Sequence, residues 1–145
     1  MASAHERFWQ QSSFAFVGHE AKRGFPRLSY RQARRLGKRV FAVDPSLAQV
    51  EGDRVYPDLA ALPEPVEAVV LEVPAEETAD WVRRAAQAGI RKVWIHQRRE
   101  TPEALEVAAR NGLEVLTGTC AVMYLTPGLT YHSIHRWVKK LAGKY

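Results

Sequence analysis

"FAFVGHEAKRGFP", residues 14 to 26, is an apolar strand followed by a glycine turn and a basic loop. A dinucleotide-binding turn would carry G-x-G-x-x-G directly after such a strand. Only Gly18 keeps that pattern here: Glu20 stands at the second glycine position and Arg23 at the third. Neither residue allows the close backbone approach to a pyrophosphate that the glycines provide. About ten residues separate Gly18 from Ser29, the expected N-cap of the next helix. A loop of that length must bring side chains as well as amides to a phosphate, and Lys22, Arg23 and Arg27 are placed to do so. Ser29 would add a hydroxyl and the positive end of a helix dipole.

Outward from this loop, short apolar runs alternate with helical patterns. "FAFVG" (14–18), "RVFAVDP" (39–45), "EAVVLEVP" (67–74), "RKVWIH" (91–96) and "LEVLTG" (113–118) read as strands. "LSYRQARRLGK" (28–38) reads as a helix stopped at Gly37, and "DLAALPEP" (58–65) as a helical turn. "AEETADWVRRAAQAG" (75–89) reads as a helix with Ala79, Val82 and Ala86 as its apolar stripe, Gly89 ending it. "TPEALEVAARNG" (101–112) has Thr101 as N-cap and Pro102 at the first helical position. "TYHSIHRWVKKLAG" (130–143) reads as an amphipathic helix. The pattern predicts one α/β domain over 1–145, a three-layer Rossmann-like doubly wound sheet of about five parallel strands. In such a sheet the ligand crevice lies beyond the C-terminal strand ends. That selects Gly18-His19-Glu20, Asp44-Pro45, Pro74 and His96-Gln97.

The charges are unevenly spread. Eight basic residues and no acid lie between Ala21 and Val43, while nine acids face Arg54 alone between Glu51 and Asp80. The basic segment is suited to anions. No apolar run approaches the roughly 20 residues that span a bilayer, and the N-terminus lacks the basic-then-apolar layout of a secretory signal. The single Cys120 excludes an internal disulfide, so a cytoplasmic, reducing location is expected.

Taken in order, the strand-plus-Gly turn, the Pro26 to Tyr30 helix entry, "VDP" after the second strand, "GDRVYPDL", the Pro after the third strand and "GTC" resemble the small stand-alone CoA-binding protein family. That family's domain is similar to the CoA-binding part of succinyl-CoA synthetase α subunits. The resemblance covers about residues 8 to 125. It implies an adenine end held near Val43, Pro45, Val73 and Pro74, and phosphates near Gly18, His19, Lys22 and Ser29. Three positions depart from the family pattern. Gly-Ala-Ser at the turn is Gly18-His19-Glu20 here, the Asn of V-N-P is Asp44, and a glycine turn after the fourth strand is "HQRRE" (96–100). Glu20 would oppose a pyrophosphate unless it turns away or pairs with Lys22 or Arg23. Asp44 would repel the 3′-phosphate of CoA, whereas in an NAD-binding domain an acid at this place holds the ribose 2′-OH. Arg98 and Arg99 would add phosphate contacts.

Smaller signals carry less. Cys120 reads as a small buried hydrophobe or as a reactive thiol. His132 and His135 have metal-compatible spacing but no further ligand completes a set. His19 and Glu20 resemble an acid–base pair without a nucleophile. The C-terminal helix packs on the sheet or forms a homodimer seam, and its four cations are few for nucleic acid. The expected function is binding of coenzyme A or an acyl-CoA without a reaction of its own. A regulatory or protein-interaction module that has lost its ligand is the second reading, and an NAD(P)-binding protein the third.

Overall fold

The computed structural model describes residues 4–22, 24–96 and 98–118. The helices are α1 (Ala4–Trp9), α2 (Arg27–Arg35), α3 (Ala75–Gln87) and α4 (Pro102–Arg110). The strands are β1 (Ser13–Val17), β2 (Arg39–Val43), β3 (Gln49–Val50), β4 (Asp53–Tyr56), β5 (Ala68–Leu71), β6 (Lys92–His96) and β7 (Glu114–Gly118). They form one sheet in the order β3-β4-β2-β1-β5-β6-β7. Every neighbouring pair is parallel except β3 with β4. The chain winds outward from β1 through β2 and β4, then returns to β5 and winds the other way, so the topological switch point lies between β1 and β5.

β1 is central and therefore buried along its whole length, as expected of a strand covered on both faces. Its alternation distributes the core. Phe14 and Phe16 join Phe8, Trp9, Tyr30 and Trp94 under α1 and α2. Ala15 and Val17 join Leu71, Val82 and Ile95 under α3 and α4. The doubly wound, three-layer architecture expected from the sequence is thus present.

Four details differ from the expectations. The sheet has seven strands because "QVEGDRVY" (49–56) folds as a hairpin, with Glu51 at φ 51° and Gly52 at φ 81°. Two successive positive φ values make the type I′ turn that matches strand twist. Ser29 is not the N-cap of α2. Pro26 holds that place, no side chain caps the helix, and Ser29 is buried in its first turn. On α3 it is Ala85, with Thr78, Trp81 and Val82, that is buried, while Ala86 is partly exposed. The helical turn expected over 58–65 is a single 3-10 turn, Leu59–Ala61, capped by Asp58. Thr101 does cap α4, accepting from the Ala104 amide at 3.0 Å. Gly37 and Gly89 do end their helices, at φ 80° and 79°, the left-handed geometry that glycine adopts without strain. No helix among the described residues is long and apolar enough to cross a membrane. Cys120, His132, His135 and the 130–143 helix lie outside the described residues.

Candidate functional site

The loop that leaves β1 is fastened from inside. Gly18 closes the strand with its amide on the Val43 carbonyl at 3.0 Å. The chain then folds back on itself, His19 bridging to Gly24. A Cβ on Gly18 would stand 2.8 Å from Pro26 Cδ and 2.9 Å from the Phe25 Cα. Glycine is therefore required by the approach of the loop's own returning arm, not by a ligand. Gly18→Ala is expected to cost about 1–3 kcal/mol through overpacking, read as a lower midpoint in a urea melt. An unchanged midpoint would mean that the arm at 25–26 moves freely.

The amides of the loop are spent on the protein. Glu20 N–H donates to Asp44 Oδ2 at 2.7 Å and Ala21 N–H to Ser46 Oγ at 3.1 Å. The amides of Lys22 and Gly24 both donate to the His19 carbonyl, and Phe25 N–H donates to Glu20 Oε2 at 2.8 Å. A backbone phosphate cradle is thus not formed by these five residues. Asp44 is 2% exposed, and its Oδ1 accepts from both the amide and the hydroxyl of Ser46 at 2.7 Å. Its carboxylate clasps the β1 and β2 loops together, and both oxygens are occupied. Glu20 bends back onto its own loop and pairs with Arg27 at 2.8 Å, not with Lys22. The Arg27 guanidinium and the Phe25 amide hold its carboxyl below the usual carboxylate range.

Side chains remain for recognition. His19 Nδ1 lies 3.0 Å from both oxygens of Glu77, in the first turn of α3, and Lys22 Nζ donates to Glu77 Oε2 at 2.8 Å. Burial pushes the Glu77 carboxyl up, but the hydrogen bonds from Lys22 and His19 outweigh it and hold the group below its ordinary value. The hydrogen bond to Glu77 raises Lys22 in turn. One carboxylate gripped by a lysine ammonium and an imidazole at the switch point is an anion position already filled by the protein.

The other expected contacts divide sharply. Val43 and Val73 are fully buried, and Pro74 is buried with them, whereas Pro45 is exposed. Because β2 and β5 flank β1 on opposite sides, the Pro45 and Pro74 loops do not adjoin: the Gly18 turn stands between them. Of the ten sequence candidates, His19, Lys22 and Pro45 offer side-chain surface, while Arg23 is not among the described residues. Ser29 is shut into α2. The positive region read from the sequence is largely neutralised. Lys22, Arg27, Arg31, Arg34 and Arg39 pair with Glu77, Glu20, Glu51, Asp53 and Glu64. The uneven charge along the chain is complementarity between segments that meet in the fold.

His96, selected from the sequence as a strand-end residue, stands at the end of β6 beside Glu72 at the end of β5, which sequence reasoning did not separate out. Their strands pair in register with Leu71 opposite Ile95, and Glu72 Oε1 lies 3.6 Å from His96 Nδ1. Arg99 is tied down beside them, donating to the Val73 carbonyl at 3.0 Å, while its own carbonyl accepts from Thr78 Oγ1 at 2.7 Å. Arg98 is exposed at φ 70°. Burial pushes the Glu72 carboxyl up to about 7, against the opposing charge of Arg99. Burial, then Arg99, lower His96, with Glu100 working the other way.

Fold and loop arrangement together define a doubly wound α/β domain with its topological switch point between β1 and β5. Residues 12–126 match the family described as CoA binding domain, and the chain belongs to that family. Its fold is shared with a hypothetical protein from Pyrococcus horikoshii OT3, at 23% identity and a TM-score of 0.74 over 86% of this chain and 89% of that one. The structure of cell-free ID.343 from Thermus thermophilus is similar at 22% identity and a TM-score of 0.72, over 87% of this chain and 100% of that one. The apo dinucleotide-forming acetyl-coenzyme A synthetase 1 of Ca. Korarchaeum cryptofilum is similar at 21% identity and a TM-score of 0.63. There the likeness covers 79% of this chain and 27% of the synthetase. At these identities the likeness is one of fold. A comparison with curated proteins gives no match.

Proposed function

We propose that the chain binds coenzyme A or an acyl-CoA along the C-terminal edge of the sheet, with no turnover of its own. The observation that carries this reading is the Glu77 carboxylate held by His19 and Lys22 at the switch point, in a chain of the CoA binding domain family. A phosphate has the charge and acceptor geometry to take the carboxylate's place between the same two donors. The N-terminus of α2, which no side chain caps, adds a favourable dipole nearby. Adenine then lies toward the exposed Pro45.

The test is calorimetric titration of ligand-stripped protein with CoA, dephospho-CoA and NAD. Saturable CoA binding, weaker for dephospho-CoA, is the expected result. Lys22→Ala is expected to weaken CoA binding, more so at low salt. Glu77→Gln removes the competing carboxylate and is expected to tighten CoA by up to roughly fivefold, the worth of an exposed ion pair. Silence with all three ligands would favour the rival reading, a fold-retaining interaction module. The internally satisfied loop amides support that rival. NAD is the weaker alternative, since both oxygens of Asp44, the ribose-type acid, are already engaged.

A further inference from the structure

Glu72 and His96 stand side by side at the C-terminal ends of the adjacent strands β5 and β6. The Glu72 side chain is 19% exposed. Among the described residues its one polar contact is the long approach to His96, and His96 Nδ1 is a buried nitrogen without a hydrogen bond. At 3.6 Å the two are too far apart to satisfy each other. A polar atom left unmatched inside a protein is costly, and the buried His96 nitrogen beside a partly exposed, unpaired carboxyl marks a place where a ligand's polar group has room to bind. Three further groups bear on the pair: Arg99, turned to the Val73 carbonyl, its neighbour Glu100, and Thr78, which donates to the Arg99 carbonyl. Among the described residues none of these forms a hydrogen bond with the side chain of Glu72 or His96.

Glu72 N–H donates to the Val17 carbonyl at 2.9 Å, so the pair adjoins the strand that carries the Gly18 loop. β6 lies two strand spacings, about 10 Å, from β1, within the span of a pantetheine arm whose phosphates rest on that loop. A carboxyl that keeps its proton near neutrality is a hydrogen-bond donor and seeks a neutral acceptor. On the reading of the site as one for coenzyme A, on which this inference rests, we propose that Glu72 with His96 binds the thioester carbonyl of an acyl-CoA. Glu72 donates the hydrogen bond to the carbonyl oxygen, and His96 stands behind it at 3.6 Å. The subsite selects acylated over free coenzyme A.

Binding of acetyl-CoA and of S-ethyl-CoA, which lacks only the carbonyl oxygen, separates the possibilities. At pH 6 acetyl-CoA is expected to bind roughly tenfold tighter, the worth of one good hydrogen bond. That preference is expected to fade above pH 8, where Glu72 ionises. Glu72→Gln keeps an N–H donor and is expected to keep the preference while losing its pH dependence. Glu72→Val is expected to lose the preference at every pH. Equal affinity for the two ligands in the wild type at pH 6, or a preference that Glu72→Val leaves intact, would overturn the subsite. Binding of neither ligand would overturn the coenzyme A reading itself, an outcome distinct from binding both alike.

Discussion

Asp44→Ala is expected to lower the melting temperature by roughly 10 °C and to remove CoA binding. The carboxylate is buried and accepts from two backbone amides, those of Glu20 and Ser46, and from the Ser46 hydroxyl. Alanine leaves these donors unpaired at about 1–3 kcal/mol for each buried group, of order 3 kcal/mol together once partial re-solvation is allowed for. In a domain of this size each kcal/mol moves the midpoint by about 2–5 °C. The Glu20 amide is also what fixes the first turn of the loop, so His19 and Lys22 lose their placement opposite Glu77. Circular dichroism melts with a parallel CoA titration check both effects. A loop that merely drapes over the sheet would show a midpoint shift below about 2 °C.

The second large effect is in the pH dependence of stability. The Glu72 carboxyl is pushed by burial from the ordinary 4.5 up to about 7. Between those values the unfolded chain has released the proton and the folded chain still holds it, so the folded state binds more protons and stability falls as pH rises. The loss amounts to about 3 kcal/mol across the window and is complete above pH 7. His96 acts in the opposite sense: burial and Arg99 lower it, so unfolding takes up a proton and stability rises with pH near its ordinary range. Subtracting the Glu72→Gln profile from the wild type isolates the carboxyl. The variant is expected to be the more stable by about 3 kcal/mol at pH 8 and equal at pH 4 in urea melts. Parallel profiles for the two proteins would place Glu72 in water.

The site was only partly legible before folding. The doubling back at Gly18 announced a special turn, yet the reason for glycine is the arm at Phe25 and Pro26, seven and eight positions on. Glu77 lies in the first turn of α3, where any acid suits the helix dipole. Its grip on His19 and Lys22 spans more than fifty positions, and no local pattern records it. The Glu51-Gly52 hairpin did carry a signal, a two-residue turn with glycine second between β-prone residues, but each strand is too short for its alternation to stand out. Glu72 lay inside a run read as apolar strand, and only the register of β5 against β6 sets it beside His96.

What the sequence determined by itself is the alternation of buried strand and amphipathic helix, and from it the doubly wound sheet and the edge at which such sheets bind ligands. Those follow from the spacing of apolar residues, a local property that survives reading along one dimension. The order of CoA-type motifs likewise placed the chain in its family. Only the tertiary structure decided which polar groups meet. It set the acidic segment against the basic one, used Asp44 and Glu20 to hold the loop, and placed Glu72 beside His96 at the strand ends. The physical reason is range: a hydrogen bond or ion pair is settled within about 3–4 Å, and residues that close in space are distant in sequence until the sheet brings them together.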